Sequence, residues 1–172
     1  PKGIDPKTRK PLVLYYDVAG TASPQDKASL DWVRKQFSKL GIDLHVRTTL
    51  YNRFQEKMRK GNAQIFSWGW SADYPDAENF LFLLYGPNGK VRHGGENAAN
   101  YHNPEFDDLF DLMKNRPNDE QRADYIHRMI QIARRDAPWI WGVVPLGLTL
   151  TQDWVSPIKK NSFTQLLLKY VH

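Results

Sequence analysis

Hydrophobic patterns with strand and helix periods divide the first 70 residues into three strands and two helices. The predicted strands span residues 12–16, 42–47 and 63–70. A helix follows each of the first two strands: one begins at Ser23-Pro24 and ends at Gly41, and the other spans residues 52–60. Asp17 to Gly20 are predicted to form a turn after the first strand. This alternation favours an α/β fold with a mostly parallel central sheet flanked by helices.

Apolar residues in these elements identify the predicted core of the first half. Leu44 and Val46 alternate with charged residues, which is typical of a strand with one buried face. Phe54 and Met58 lie four residues apart, so they share one face of the second helix.

The second half of the chain is predicted to be mainly helical. Apolar residues at helical spacing indicate helices that begin near Asp76, Asn103 and Asn118, and Gln121 completes a capping box with Asn118. Residues 86–100 are rich in Gly and Asn and are interpreted as a surface loop. Residues 139–150 are apolar and β-rich but contain Gly and Pro, which indicates a strand with bends.

The composition is that of an ordinary globular domain: of 172 residues, 41% are hydrophobic and 25% are charged. The chain contains no cysteine, which excludes disulfides and thiolate chemistry, and no apolar run of about 18 residues. Residues 1–6 contain neither an initiator Met nor a signal segment, so we expect the chain to be a piece of a longer protein, with a processed terminus as the alternative.

The formal net charge of +5 is unevenly distributed along the chain. Residues 1–60 carry 13 basic and 6 acidic residues, whereas residues 61–120 carry 4 basic and 10 acidic residues. A basic protein of this kind can bind nucleic acid, but the acidic middle would repel phosphate and attract a cation or an amine. We therefore predict that nucleic acid is not a partner.

Familiar catalytic motifs are missing from the sequence. Neither a Gly-x-Ser-x-Gly nucleophile motif nor a glycine-rich phosphate loop occurs, and the histidines lack metal-ligand spacing. His93, Glu96 and His102 could meet a metal ion, but we interpret them as solvated loop residues. Three carboxylates early in a helix complement its dipole: Asp107, Asp108 and Asp111. We predict no catalytic residue, no cofactor and no metal.

The candidate site lies where the third predicted strand meets the next helix. Ligands of open α/β sheets bind beyond the carboxyl ends of strands. Trp68 and Trp70 should share one strand face, with Trp68 in the core and Trp70 offering a flat apolar wall to a ligand. Asp73 is a possible acceptor for a ligand ammonium group, and its alternative role is turn formation. Asp76 is predicted to cap the helix.

Residues 70–81, WSADYPDAENFL, resemble the W-x-A/G-D-x-x-D/E-P-x-x-F motif of the extracellular solute-binding proteins, family 5. This family includes dipeptide- and oligopeptide-binding proteins. Residues 3–8, 100–109 and 134–140 are further segments that resemble the family in order and spacing.

The resemblance implies a periplasmic-binding-protein type II fold. Residues 1–172 would form a single domain, the carboxy-terminal lobe of a two-lobed protein whose amino-terminal portion carries the export signal and the other wall of the cleft. It also implies a periplasmic or cell-envelope location, a peptide ligand, and the permease and ATPase subunits of an ABC importer as partners. Asp73 would bind the peptide α-amino group and Trp70 would border the cleft. Their neighbours in the motif would also contact ligand: Ser71, Ala72 and Tyr74.

Two positions depart from the family pattern. Ala77 replaces the usual Pro, and Ser67 stands where some oligopeptide binders have an Arg for the ligand carboxylate. The length of the peptide is therefore left open, as are other cargoes of the family: nickel complexes, haem, oligosaccharides and peptide antibiotics. The rivals outside the family are a hydrolase acting on peptides or sugars and the nucleic-acid-binding module that the acidic middle argues against.

Overall fold

The structure is a computed structural model that describes residues 3–20 and 23–142, together with residues 148, 150 and 152. The chain divides into two compact units, which are described separately. The first unit comprises Pro1–Gly69 and Asn88–Asn100, and the second comprises Trp70–Pro87 and Tyr101–His172.

The first unit contains a parallel sheet in the order β2-β1-β3. Its strands are β1 (Val13–Ala19), β2 (Asp43–Thr49) and β3 (Ile65–Phe66). Its helices are α1 (Pro24–Ser38), α2 (Tyr51–Arg59) and α4 (Lys90–His93). The predicted α/β fold with a parallel sheet flanked by helices is confirmed.

Local sequence signals account for much of this unit. Ser23 Oγ accepts the Asp26 N–H (3.1 Å) and the Asp26 carboxylate accepts the Ser23 N–H (3.0 Å), so a capping box begins α1. Leu44 is buried between exposed neighbours in β2, as its alternating pattern predicted. Phe54 and Met58 of α2 are 1% and 2% exposed, which confirms their predicted core positions.

Two strand predictions need correction. Strand β1 continues through Asp17 to Ala19, where a turn was predicted, and Asp17 is fully buried. Arg47 of β2 and Lys57 of α2 form ion pairs with the buried Asp17 carboxylate. Turn propensity is a local property and does not detect these distant partners. Strand β3 is only two residues long, because it pairs with β1 at Ile65 and Phe66 alone.

The second unit is helical and contains α3 (Glu78–Leu81), α5 (Pro104–Lys114) and α6 (Glu120–Asp136). A hydrophobic core joins these helices, including Leu84, Phe106, Met113 and Met129. As predicted, Asn103 caps α5: its side chain accepts the Phe106 N–H. Helix α6 begins one residue later than predicted, since Asp119 is its cap and Asn118 instead accepts a hydrogen bond from Arg122.

The remaining predictions concern residues 86–100 and residues 139–150. Residues 86–100 include a 3-10 turn, Gly86–Asn88, and the short helix α4. Trp139–Gly142 has no regular structure, and half of the strand predicted over residues 139–150, namely residues 143–147 and 149, lies outside the described residues. Within the described part of the chain, no helix is both long enough and apolar enough to cross a bilayer.

Candidate ligand-binding loop

The loop from Trp70 to Ala77 is organised around the buried side chain of Asn79, which is 2% exposed. The Asn79 Oδ1 atom accepts the Trp70 indole N–H at 3.1 Å and the Asp73 backbone N–H at 2.9 Å. Because one buried oxygen binds both ends of the segment 70–73, Asn79 fixes the loop that carries the candidate site.

Trp70 is held by its ring as well as by its indole N–H. The ring is half-buried and meets the Phe82 ring edge-to-face, with centroids 5.3 Å apart. Phe82 itself packs against the core of the second unit. Because its side chain is already fixed in these two ways, Trp70 can present a flat apolar surface to a ligand without losing side-chain entropy on binding.

The Asp73 side chain, in contrast, is exposed, and its carboxylate makes no hydrogen bond or ion pair with the described residues. Ser71 is exposed and Ala72 is half-buried. Tyr74 is 43% exposed, and its hydroxyl donates to the Glu78 carboxylate, which raises the pKa of Tyr74. The loop therefore combines a fixed backbone with a carboxylate that is available to a ligand.

Asp76 anchors the other end of the loop. The prediction that Asp76 is the helix cap is wrong by one residue, because Ala77 occupies the N-cap position of α3. The Asp76 Oδ1 atom nevertheless accepts the Glu78 N–H at 2.8 Å and so supports the first turn of the helix. The same atom accepts a hydrogen bond from Arg122 Nη2 at 2.7 Å, and this guanidinium lowers the pKa of Asp76. Arg122 also donates to the Met113 carbonyl oxygen and the Asn118 side chain.

Sequence reasoning missed both supports of the loop, Asn79 and Arg122. Asn79 lies inside the motif, but its amide carries no signal that would distinguish a buried support from a surface residue. Arg122 follows Asp76 by 46 residues, and only the packing of α6 joins them.

The predicted shared strand face of Trp68 and Trp70 is wrong, because β3 ends at Phe66. Trp68 belongs to the first unit, where it is half-buried, packs on Phe54 with ring centroids 5.5 Å apart, and lies under the Lys90 ammonium group. Trp68 is thus half-buried and is not among the buried core residues, so its predicted core position is not confirmed, although it packs on the core residue Phe54.

Two of the three suggested metal ligands, Glu96 and His102, take part in other contacts. Glu96 binds Lys90 at 3.0 Å, and His102 Nδ1 lies 2.8 Å from Asp107 Oδ2. Asp107 also accepts the Gly86 N–H at 2.8 Å. Among the described residues, no group of three or more potential ligands is arranged to hold a metal ion.

The fold is that of the periplasmic binding proteins. A solved structure of the Helicobacter pylori ABC transporter-associated periplasmic binding protein DppA, in complex with the peptide STSA, superposes with a TM-score of 0.66 at 21% identity. The match covers 74% of this chain and 24% of that one.

The sequence identifies the family within this fold. The profile of the bacterial extracellular solute-binding proteins, family 5, middle region, matches residues 2–91, and the chain belongs to this family.

Two characterised relatives have similar sequences. Heme-binding protein A of Haemophilus influenzae is 28% identical over 151 residues, which cover 85% of this chain and 27% of the relative. The oligopeptide-binding protein OppA of Bacillus subtilis is 29% identical over 116 residues, or 67% of this chain and 19% of the relative. The chain thus spans about a quarter or less of the length of these relatives.

Proposed function

We propose that the chain is the carboxy-terminal lobe of the substrate-binding component of an ABC-type peptide importer. The complete protein captures a peptide in a cleft between this lobe and the missing amino-terminal portion, and no bond in the peptide is made or broken. Support comes from family membership, from similarity to an oligopeptide-binding protein, and from the small share of the relatives that the chain covers.

The observation that carries the proposal is the exposed carboxylate of Asp73 on a loop fixed by Asn79. A fixed acceptor can bind the α-amino group of a peptide without first losing conformational entropy. The charge-assisted hydrogen bond would contribute about 1.5–3 kcal/mol. Micromolar affinity requires about 8 kcal/mol, so Asp73 orients the peptide while other contacts supply most of the affinity.

The backbone of the same loop supports recognition of a peptide main chain. The N–H and C=O groups of Ser71 and Ala72 make no hydrogen bond with any part of the chain that the structure describes. Such groups can pair with an extended peptide as a neighbouring strand does, a mode that tolerates varied side chains. Trp70 and Tyr74 flank this segment and would contact the ligand.

The proposed partners follow from transport. The closed, peptide-loaded protein would dock on a membrane permease driven by an ATPase subunit, and its location would be the periplasm or cell envelope. The chain alone would contain half of the site, so we expect it to bind peptides weakly or undetectably.

Haem is a second candidate cargo, because one relative that matches over 85% of this chain is named a heme-binding protein. A haem titration of the complete protein, followed by its visible absorbance, distinguishes the two cargoes.

The central test is calorimetry on the complete parent protein with matched peptides whose amino ends are free or acetylated. Asp73→Asn should weaken free-amine peptides about 10- to 100-fold and leave acetylated peptides nearly unchanged. Asp108→Asn, an exposed carboxylate on α5, is the control and should change neither. Equal losses for both kinds of peptide would remove the assigned role of Asp73.

A further inference from the structure

Strand β2 lies at one edge of the parallel sheet of the first unit, because the strand order is β2-β1-β3. The Asp43 N–H donates to the Leu12 carbonyl oxygen at 2.9 Å, so the odd-numbered residues of β2 direct their backbone groups towards β1. The backbone groups of Leu44, Val46 and Thr48 therefore point away from the sheet. Across residues 3–20 and 23–142, no strand pairs with this row of donors and acceptors, which is open to another strand.

The side chains on one face of this edge form a pattern of opposite charges. Asp43, His45 and Arg47 share that face, since they are two residues apart. Asp43 and His45 are exposed, and the Asp43 carboxylate lies 2.9 Å from His45 Nε2. Arg47 binds Asp17 through Nε and Nη2, so its Nη1 group has no hydrogen-bond partner in the described part of the chain. A carboxylate and a guanidinium group with free capacity thus flank His45 on either side.

This pattern is complementary to itself when two copies of β2 lie antiparallel about a twofold axis. With His45 on the axis, Asp43 of each copy stands opposite Arg47 of the other, where Cβ atoms are about 4.5–5.5 Å apart. Leu44 then stands opposite Val46, and the outward backbone groups of these two residues exchange hydrogen bonds. Moving the axis to Val46 would place His45 opposite Arg47 and remove both ion pairs, so the charges specify the register.

Helix α1 leaves room for a second strand at this edge. A cavity of about 280 Å³ lies between α1 and the beginning of β2, and Ile42 and Leu44 line its strand side. Val46, which is half-buried in one copy, would lie beside the Leu44 side chain of the other copy on this face of the sheet. The helix side of the cavity is polar, and Asp31 there lies 3.5 Å from Arg34, so it can remain solvated at the rim of the interface.

We infer that the complete protein forms a reversible symmetric dimer in which the β2 edges of two copies pair antiparallel about His45. Charged side chains usually keep sheet edges apart, but in this register they bring opposite charges together. The dimer is weak, because the ion pairs are exposed and an edge of seven residues is a small interface. The inference does not rest on the proposed function, since β2 belongs to the first unit and Asp73 to the second.

Sedimentation equilibrium of the complete parent protein measures this self-association. The dimer should have a Kd in the range of about 1 μM to 1 mM, and added salt should weaken it because exposed ion pairs are screened. Asp43→Arg places like charges opposite each other in both pairs and should raise the Kd at least about tenfold. Asp108→Arg on α5 is the matched control: it makes the same change of charge at an exposed carboxylate and should leave the Kd unchanged.

A single cysteine at the axis tests the register. The two copies of residue 45 should have Cβ atoms about 4.5–5.5 Å apart, close to the separation of about 3.5–4.5 Å in a disulfide. These 172 residues contain no cysteine. In a parent protein whose cysteines elsewhere are replaced by Ser, His45→Cys should give a disulfide-linked dimer on mild oxidation. Thr48→Cys is the control, because Thr48 is also exposed but would lie roughly 20 Å from its counterpart and should stay unlinked.

Three results would overturn the inference: a parent protein that is monomeric up to about 1 mM, a Kd that Asp43→Arg leaves unchanged, or equal linking by the two cysteine variants. Hydrogen exchange on a monomeric parent protein would then identify the other occupant, since slow exchange of the Leu44 and Val46 amides would assign this edge to the amino-terminal portion. Peptide binding by the Asp73→Asn variant is a separate measurement, so the proposed function stands or falls independently of the dimer.

Discussion

Arg122 on α6 places its guanidinium 2.7 Å from the carboxylate of Asp76, 46 residues earlier in the chain. Asp76 ends the candidate loop, and Arg122 is only 7% exposed. This ion pair therefore joins α6 to the start of α3. As a result, the position of the loop depends on the packing of a helix that lies outside the motif.

Removing the guanidinium should destabilise the protein. Arg122→Met leaves the Asp76 carboxylate, the Met113 carbonyl oxygen and the Asn118 side chain without their donor, and we expect a loss of about 2–3 kcal/mol. Urea denaturation measures the free energy of unfolding. Arg128→Met on the same helix is the control, because its ion pairs are exposed and 3.9 Å long, and it should cost less than about 0.5 kcal/mol. Equal losses in the two variants would contradict a specific role for the buried pair.

The Asn79 amide should control both stability and the environment of Trp70. Asn79→Leu removes the acceptor of two hydrogen bonds and should cost about 1–3 kcal/mol. Nuclear magnetic resonance should show the Trp70 indole N–H signal moving towards the position of a solvent-exposed indole. The Trp32 indole signal is the internal reference, since Trp32 is 63% exposed on α1 and should not move. An unchanged Trp70 signal would rule out the hydrogen bond.

The buried Asp17 carboxylate and its two cationic partners, Arg47 and Lys57, form the Asp17 cluster. These side chains should behave as a coupled unit in a double-mutant cycle. Asp17→Asn leaves Arg47 and Lys57 without their buried partner and should cost about 3 kcal/mol. Lys57→Met in the same chain should recover part of this loss, because one of the two unpaired cations is then absent. The measurement is urea denaturation of the four chains of the cycle. Simple addition of the two single losses would show that Asp17 and Lys57 are independent.

A pH dependence should arise from Tyr101 and Asp136 of the second unit. Hydrogen bonds from Tyr101, Arg135 and Asn103 lower the pKa of Asp136 to about 2. The ordinary pKa of an Asp carboxyl group is about 3.9. The hydrogen bonds to ionised Asp136 therefore stabilise the folded state above about pH 4, and this stabilisation is lost as the pH falls towards 2. Burial and the hydrogen bond to Asp136 raise the pKa of Tyr101. The contribution of the protonated Tyr101 hydroxyl to the free energy of unfolding is therefore present below about pH 10 and is lost at higher pH.

Tyr101→Phe tests this relationship through the thermal midpoint measured from pH 2 to 7. The variant should lose stability at neutral pH and show a shallower decrease towards pH 2, because Asp136 then has one donor fewer. Tyr125→Phe is the control, since the Tyr125 hydroxyl accepts a hydrogen bond from Gln121 and makes none with Asp136 among the described residues. A Tyr101→Phe profile parallel to that of the unmodified chain would contradict the assignment.

Elements with strong local signals were predicted well from the sequence. The Ser23 capping box, the alternation around Leu44 and the helical face of Phe54 and Met58 appear in the structure as expected. Errors occurred where distant residues decide the outcome. Asp17 has the local preference of a turn residue, but Arg47 and Lys57 make its burial in β1 favourable. Strand β3 is limited to two residues by its pairing with β1, which periodicity cannot show.

The sequence by itself determined the α/β class, the family and the loop that carries Asp73, because hydrophobic period, caps and motif spacing are properties of neighbouring residues. Only the tertiary structure decided what holds that loop. Asn79, Arg122 and the Asp17 cluster act through contacts between segments that are far apart in the chain, or through a burial that no local pattern records. Such contacts form only when helices and strands pack, since a buried polar group is stable only where its partners have been brought within hydrogen-bond distance.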